Sequence, residues 1–559
     1  MTDGNERVGF ARRLRTALGL MADIRGKDLL TAVEFMKLVY PNERPLVQGL
    51  KFAGWALDLV WSRMPDALRH VSIDKDISRT PYWQTAPNPL ANHPWADDPD
   101  SVLPAEADAV VIGAGFGGSS VAYHWSKHAN GNLVILDSMD PASGSAGRNA
   151  GHVVMAGGAY HGYYVYRSVL KYLPEVRPEL TEADCSEIAA QFADVYVRAL
   201  HASHELILET IESEGIECDY VRKGQVHVGE EADMGDVEAA LSLADELGHD
   251  DYQRLRPDEV RRLSGVEAEL DGAVSAGAGT WHPAKWVWGI LQAAIASEKV
   301  RLFTRTAARA VERDGSGYIV RTDRGDIRTR NVVNATDSHT QSLFNDWLGI
   351  FPDGKLVWPY RVQGIYAEPA PETIPTGVGV ITGLGFFAKV PKGGTVFGTD
   401  HSPVKPYEAG RIDPSRFVTK FMSAELSRLW GAIPMRITHE WTGSVGVAPD
   451  WFPVVGPMDD DRLYILSGFC GSGSATSFNA GQHIVFQILG KERESEYHPP
   501  EFFSPAIRRY GLANLYAAAG QALLLVGPPR CQIIHDGRVR GAPCRIGSIG
   551  LIAKLLPSN

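Results

Sequence analysis

The stretch that most constrains this chain runs from Asp108 to Ser138, DAVVIGAGFGGSSVAYHWSKHANGNLVILDS. Its opening apolar run reads as a buried parallel strand. Gly113, Gly115 and Gly118 follow in the spacing G-x-G-x-x-G. The first glycine permits a tight turn, the second leaves room for a pyrophosphate against the backbone, and the third lets the next helix pack close to the strand. SSVAYHWSKHA supplies that helix, whose N-terminal amides and dipole favour phosphate charge. A second apolar strand, NLVILD, ends at Asp137, about twenty residues beyond the glycines. A carboxylate there takes hydrogen bonds from ribose hydroxyls and repels a 2′-phosphate. The combination predicts a dinucleotide-binding unit with Gly113, Gly115, Phe116, Gly117, Gly118, Asp137 and Ser138 at the cofactor. The fingerprint alone does not separate NAD from FAD.

A chain of 559 residues has length for two or more domains. Its formal net charge of −12 excludes the basic footprint of a nucleic-acid binder. Five cysteines, at 185, 218, 470, 531 and 544, show neither CxxC nor zinc spacing, so no metal site is expected and a reducing cytoplasm fits. Arg12–Arg13 is not followed by an uninterrupted apolar core, and no run reaches about 18 clean apolar residues. Neither export nor a spanning helix is expected, and the protein reads as cytoplasmic.

The residues after the second strand, PASGSAGRNAGHV, resemble the D-amino acid oxidase-like (DAO) family of FAD-dependent oxidoreductases. In that family a G-x-S-G-R-N-G-G-like segment wraps the flavin diphosphate and ring. Here the matching residues are Gly144, Ser145, Gly147, Arg148, Asn149 and Gly151; Ala146 and Ala150 are mild departures. Three later blocks resemble the family in order. The block beginning GTWHPAKWVWGIL carries Ala308 near the adenine, and GDIRTRNVVNATDSHTQSL carries Ala335 and Thr336. The block from EWTGSVGVAPDWFPVVGP to SGFCGSGSATSFNAGQHI carries Gly468, Cys470, Gly471, Ser472 and Gly473 before a helix aimed at the flavin. The resemblance spans roughly Ala105 to Gly490 and is nearest gamma-glutamylputrescine oxidase-type amine oxidases.

That resemblance implies an α/β fold in which a Rossmann-type FAD-binding domain interleaves with an α+β substrate domain on a mixed or antiparallel sheet, behind a helical N-terminal extension. The implied division is 1–104 helical extension and Pro/Trp-rich connector, 105–165 first FAD part, and 166–280 substrate and cap segments with part of the FAD domain. Then come 281–350 second FAD part, 351–440 substrate domain, 441–495 C-terminal flavin segment and 496–559 tail. The prolines of TPYWQTAPNPLANHPWADDPDSVLP exclude regular helix, and this connector is expected to lie extended along the surface.

The implied reaction removes hydride from a carbon bearing an amine, with positioning and desolvation carrying most of the effect. Relatives that oxidise amino acids carry an arginine after the W-x-G near the C-terminal flavin segment. Here WTGSVGVAPD offers Ser444, Val445 and Val447 instead, so no planar fork for a carboxylate stands there. This favours an amine over an amino acid, with Arg361 in WPYRVQGIYAEP as the alternative anion partner. His152, His401 and Trp441 complete the candidate catalytic set, and His282 is expected to pack structurally. The lysine that assists oxygen in sarcosine-oxidase relatives is missing near Val396; Lys389 and Lys392 lie nearby as plain solvent contacts. The electron acceptor therefore stays open between oxygen, a quinone and an electron-transfer protein. The spacing around Cys470 does not match a cysteine-linked flavin, so FAD is expected to be non-covalent.

Two features have alternative readings. AYHGYYVYR, residues 159–167, reads either as an amine-binding aromatic wall or as packing at a domain junction. RPLVQGLKFAGWALDLVWSRM is amphipathic and either covers the enzyme's own surface or a partner subunit, or lies on a membrane; the basic, apolar tail after Tyr510 has the same alternatives. The leading reading is an FAD-dependent amine oxidoreductase. The alternatives are a peripheral-membrane amino-acid dehydrogenase and a flavoprotein scaffold or accessory subunit.

Overall fold

The computed structural model describes residues 8–23, 43–153, 158–176, 178–231, 233–340, 357–383, 385–399, 402–403, 413–448, 451–458, 462–491, 532–535 and 538–541. The chain opens with helix α1 (Phe10–Asp23) and α2 (Pro45–Asp58), which continues through one π turn, Leu59–Arg63, and a last turn, Met64–Ala67. Strand β1 (Val71–Ser78) and two 3₁₀ turns, Tyr82–Thr85 and Pro99–Ser101, lead to β2 (Glu106–Ile112), α3 (Phe116–His128) and β3 (Leu133–Leu136). Helices α4 (Ala159–Val176) and α5 (Glu182–Glu214) precede β4 (Gln225–Val228), α6 (Met234–Leu247), β5 (Tyr252–Leu255), α7 (Pro257–Ser264) and β6 (Gly272–Ser275). Then follow α8 (Pro283–Ile295), β7 (Val300–Phe303), β8 (Ala308–Asp314), β9 (Gly317–Thr322) and β10 (Gly325–Asn334). The described remainder holds β11 (Trp358–Glu368), β12 (Gly379–Thr382), β13 (Gly385–Lys389), β14 (Thr395–Thr399), β15 (Ser402–Pro403), α9 (Arg416–Trp430), β16 (Met435–Val447), β17 (Val454–Pro457), β18 (Leu463–Ser467) and α10 (Gly473–Leu489).

The strands form two main sheets. The first runs β17-β18-β10-β2-β3-β7, with the β8–β9 hairpin folded onto β10. Its central strands β18, β10, β2, β3 and β7 are parallel. Such a sheet is covered on both faces, which explains its unbroken apolar strands. Ala109, Val111, Leu133 and Ile135 join the core beneath the helices, while Val110, Ile112, Val134 and Leu136 pack with Tyr318 and Val320 of the hairpin. The second sheet runs β1-β16-β11-β14-β13-β12-β4-β6-β5, with β15 beside β11. It is mostly antiparallel, with β1–β16 and β12–β4 parallel. α9 covers one face of it through Met422 and Leu426, which meet Ile365, Phe387, Phe397 and Ile437.

The 33-residue helix α5 begins where Thr181 and Asp184 exchange hydrogen bonds in a capping box and ends at Gly215 in the left-handed conformation. It packs against α4 and α10, and so ties the second half of the chain to the first.

One expectation for the preface is corrected, and a second holds only in part. Residues 71–78 are neither helix nor connector: they form an edge strand paired in register with β16, Val71 opposite Met435 and Ile73 opposite Ile437. The connector lies along the surface for most of its length, as expected, but it is anchored inward near its start. Tyr82 and Trp83 are buried in the main core, where Tyr82 stacks on Tyr366 of β11 at 4.2 Å between ring centroids. Two large aromatic side chains gain more from burial than an extended surface path would give them.

Candidate functional site

The glycine loop has the geometry its spacing predicts. Gly113 sits at φ +105°, and a Cβ there would lie 2.7 Å from the carbonyl oxygen of Ala335 at the end of β10. A Cβ on Gly118 would lie 1.7 Å from the carbonyl oxygen of Gly113, so α3 presses directly on the turn. Gly115 is different: the nearest atom to a Cβ there is Ala146 Cβ at 3.8 Å. The loop is therefore crowded on its protein side and open above Gly115. Ser119 makes the bond to the Gly115 carbonyl, and the amides of Phe116, Gly117 and Gly118 belong to the helix N-terminus, which has no intrahelical acceptors of its own. Open space and outward amides are what a diphosphate requires.

Asp137 closes this loop from the next strand. Its carboxylate accepts the Ala114 amide at 2.7 Å and the Met139 amide at 2.8 Å. Burial pushes its pKa up to about 6 against the pull of those two amides. Ser138 beside it is exposed. The Asp137 carbonyl accepts the Thr306 amide at 2.7 Å, which brings Ala308, the first residue of β8, to the same edge.

The parallel strands β2, β10 and β18 end side by side, and their carboxyl ends form one crevice. Ala335, Thr336 and Asp337 leave β10 there, and Gly468 to Gly473 leave β18. Gly468, Cys470 and Gly471 all have positive φ, so this turn coils tightly before α10. A Cβ on Gly481 of α10 would lie 2.6 Å from Ser120 Cβ of α3. The two helices are thus in near backbone contact, and their N-termini open on the same crevice. Cys470 is fully buried; its sulfur receives the Ala448 amide at 3.3 Å and donates to the Gly468 carbonyl at 3.1 Å.

Asp337, which motif reading passed over, fastens this turn. It holds φ +48°, and its carboxylate accepts the amides of Gly446 at 2.9 Å and Gly468 at 3.0 Å. Its backbone carbonyl also accepts the Ser467 hydroxyl at 3.0 Å. The available signal was the aspartate in the turn NATDS, a residue type that tolerates the left-handed conformation.

The Arg148–Asn149 segment crosses between the sheets. Arg148 donates Nε to the Ser143 carbonyl at 2.7 Å and a terminal nitrogen to the Thr442 carbonyl at 2.8 Å. Asn149 donates to the carbonyls of Ser145 and Ala146 and accepts the Gly151 amide, which shapes the short turn through Gly147. Trp83 from the connector donates its indole N–H to the Asn149 carbonyl at 2.6 Å, and its ring lies where a Cβ on Gly151 would be, 2.8 Å away. This buttress was not legible in the motifs.

Each candidate catalytic residue has a definite place. His152 is buried; Nε2 lies 3.0 Å from the Phe387 carbonyl and Nδ1 lies 2.7 Å from Gln225 Nε2. These partners fix a neutral ring, with Nε2 donating and Nδ1 accepting. Burial pushes its pKa down to about 4. Trp441 is almost wholly buried, its indole N–H spent on the Arg148 carbonyl at 2.9 Å and its ring packed on Gly364. Arg361 stands opposite Ser444 in the β11–β16 register. Strand alternation puts it on the side of Gln363, which bonds Ser415 and Thr419 of the α9 segment, and opposite to the side of Gly364 and Trp441. The expected role of Arg361 as an anion partner therefore belongs to the α9 side of the sheet and not to the Trp441 side. His401 lies outside the described residues, as does the tail after residue 491 apart from two short paired strands, Gln532–His535 and Arg538–Gly541. His282 packs structurally, capping α8 with Nδ1 toward the Lys285 amide at 3.2 Å.

The aromatic run on α4 joins the two sheets. Tyr164 stacks on Trp451 at 5.3 Å, Tyr160 meets His227 of β4 edge-on at 4.5 Å, and His161 bonds Ser472 at 2.6 Å. Tyr160 is buried among Val237, Ala240 and Tyr252, which is junction packing. A cavity of about 70 Å³ opens on the other side of Gly151, lined by Trp83, Trp281 and His282 with Lys285, Lys389 and Lys392. Among the described residues no cluster of three or more His, Cys, Asp or Glu could hold a metal ion.

The family model described as FAD dependent oxidoreductase (DAO) matches residues 108–487. The fold is similar to that of glycine oxidase from Geobacillus kaustophilus, with a TM-score of 0.55 and 17% identity over 70% of this chain and 96% of that one. It is similar to L-proline dehydrogenase from P. horikoshii, with a TM-score of 0.56 and 19% identity over 73% and 100%. It is also similar to L-alpha-glycerophosphate oxidase from Mycoplasma pneumoniae with FAD bound, with a TM-score of 0.54 and 14% identity over 70% and 97%. A curated relative, the mitochondrial pyruvate dehydrogenase phosphatase regulatory subunit of Mus musculus, is 36% identical over 77 residues, which is 14% of this chain and 9% of that protein.

Proposed function

We propose, from the premise that this chain belongs to the DAO family of FAD-dependent oxidoreductases, that it oxidises the C–N bond of a small primary or secondary amine. FAD is the cofactor, and when bound it supplies the two-electron acceptor for hydride. Phe116, Gly117 and Gly118 would hold the diphosphate with their amides, Asp137 the ribose, and the Gly468–Gly473 turn the ring end. FAD would be held without a covalent bond, a reading supported by Cys470, whose thiol is turned into its own loop.

Hydride leaves the carbon that carries the amine while the nitrogen lone pair forms the C=N bond. Water then hydrolyses the imine to a carbonyl compound, releasing ammonia from a primary amine or a smaller amine from a secondary one. This chemistry needs a neutral amine held in a dry site more than it needs a strong base. His152 supports that reading, because a ring held neutral by Gln225 and Phe387 adds no charge beside the substrate.

The observation that carries amine over amino acid is the placement of Arg148 and Arg361. Arg148 is committed to the carbonyls of Ser143 and Thr442, and Arg361 follows Gln363 to the helix-covered face. A carboxylate clamp wants a guanidinium fork facing the substrate. The second reading, an amino-acid dehydrogenase, is favoured by the lysines at the cavity beside Gly151, although Lys285 is paired with Asp219 at 2.8 Å and Lys389 donates to the Pro371 carbonyl at 3.1 Å.

The test is an anaerobic titration of the yellow holoprotein with matched amines and amino acids. Bleaching by amines, and not by their carboxylated counterparts, supports the proposal; bleaching only by amino acids overturns it. A flavoprotein serving only as an assembly subunit would keep its colour with both. Peroxide release on readmitting air identifies oxygen as an acceptor.

A further inference from the structure

The helical preface buries one part of its apolar surface in the fold and leaves another part exposed. The end of the α2 rod is buried: Leu59, Met64 and Ala67 pack with Leu20 of α1 and with Ala424, Phe417 and Phe421 of α9. The preceding turns leave one apolar face open, with Leu46, Leu50 and Leu57 exposed by 66 to 76%. On α1, Ala17 and Leu20 face inward, and Arg13 turns in to the carbonyls of Val8 and Trp61. Phe10, Leu14, Leu18 and Met21 face outward, each exposed by 41% or more. Their spacing of four, four and three residues makes one continuous apolar stripe, as does the spacing of Leu46, Leu50 and Leu57 on α2. A stripe this regular is not the scatter of single apolar side chains found on ordinary surfaces.

Charge identifies the occupant. Between Phe10 and Ala22 there are three arginines and no acid, in a chain whose net charge is −12. Arg12 and Arg15 are exposed and lie on the solvent side of α1, with Arg15 at the edge of the apolar stripe. The neighbouring acids are engaged: Asp23 with Lys420, Glu43 with Lys51 at 2.8 Å, and Asp58 with Arg63 at 3.0 Å. No described helix is long and apolar enough to cross a membrane.

We propose that α1 and the first half of α2 seat the protein on an anionic phospholipid surface, with the leucines, Phe10 and Met21 in the acyl boundary and Arg12 and Arg15 among the headgroups. An apolar helix face bordered by arginines binds in this way, by buried area and by attraction to anionic lipid together. A second copy of the chain suits the face less well. A twofold contact through α1 would bring the arginines of one copy toward those of the other.

The experiment is flotation of the full-length holoprotein with vesicles of phosphatidylcholine alone and of phosphatidylcholine with phosphatidylglycerol. The protein floats with the anionic vesicles, and added salt weakens this. Leu14→Glu with Leu18→Glu lowers the bound fraction at least about tenfold, and Arg12→Gln with Arg15→Gln removes about fivefold per arginine on anionic vesicles only. Leu46→Glu with Leu50→Glu is the second variant should the first fail to fold, and retained flavin absorbance confirms folding in each. Three results overturn the proposal: no flotation with either vesicle, flotation that none of the variants changes, or a dimer of the wild type that the leucine variants split while vesicles bind neither form.

Discussion

Asp337 and Gly446 fit together as a carboxylate and the space left for it. The Asp337 side chain accepts the Gly446 amide at 2.9 Å, and a Cβ on Gly446 would stand 2.6 Å from the Asp337 oxygen. The same carboxylate holds the Gly468 amide, so one side chain joins the ends of β10, β16 and β18 where the flavin segment begins.

Gly446→Ala should therefore force the carboxylate off both amides. The expected cost is about 1–3 kcal/mol of stability, the usual range for overfilling a packed site. Thermal unfolding of the apoprotein reads it, and FAD retention on gel filtration should fall in parallel. Gly235→Ala on α6, away from the flavin segments, is the control, since nothing lies within 4 Å of a Cβ there.

Asp337 also gives a pH signature. Burial raises its pKa from 3.8 to about 6, although four backbone amides pull the other way. A carboxyl whose folded pKa is raised adds stability that is complete below its unfolded pKa, and that stability is lost as pH rises through the folded value. The difference in Tm between wild type and Asp337→Asn should thus shrink between pH 3.8 and about 6. A difference that grows over that range would contradict the burial-dominated balance.

His152 behaves in the opposite sense. Its pKa falls from 6.5 to about 4, so its contribution is present above pH 6.5 and is lost as pH drops through about 4. Nitrogen NMR of the labelled protein should show a neutral ring protonated at Nε2 at about pH 5, where an ordinary histidine is charged. A charged imidazole there would break the Gln225–His152–Phe387 arrangement.

Trp83 tests whether the preface belongs to the site. Trp83→Phe removes the bond to the Asn149 carbonyl, and Trp83→Ala also empties the space beside Gly151. The first should cost about 1 kcal/mol and the second about 3–5 kcal/mol by denaturant unfolding, with FAD affinity weakened in the second.

What the sequence made legible was local. The strand, glycines, helix and acid of residues 108–138 lie within one βαβ unit, so spacing alone carried them. The glycines at 468–473 were legible for the same reason. Partnerships across long separations were not. β1 pairs with a strand more than 350 residues away, and no local pattern in VSIDKDIS names that partner. The face that Arg361 takes was not legible because β11 is covered on the α9 side and packed on the other, so its run lacks the alternation that would show its phase. Trp83 looked like a connector residue because its proline neighbours describe the backbone path and not the pocket its ring fills. His152 drew notice as a histidine after a motif, but its chemistry is set by Gln225 and Phe387 from the other sheet.

The central claim is that main-chain amides around Gly115 hold the FAD diphosphate in space the protein leaves open. Gly115→Val tests it most directly, because the side chain meets little in the apoprotein, where Ala146 Cβ is 3.8 Å from the added Cβ. Apoprotein of both forms is titrated with FAD and followed by flavin fluorescence, with unfolding measured alongside. The account predicts that the variant folds with nearly unchanged stability and binds FAD at least about a hundredfold more weakly. A stable variant that binds FAD as tightly as the wild type would contradict it.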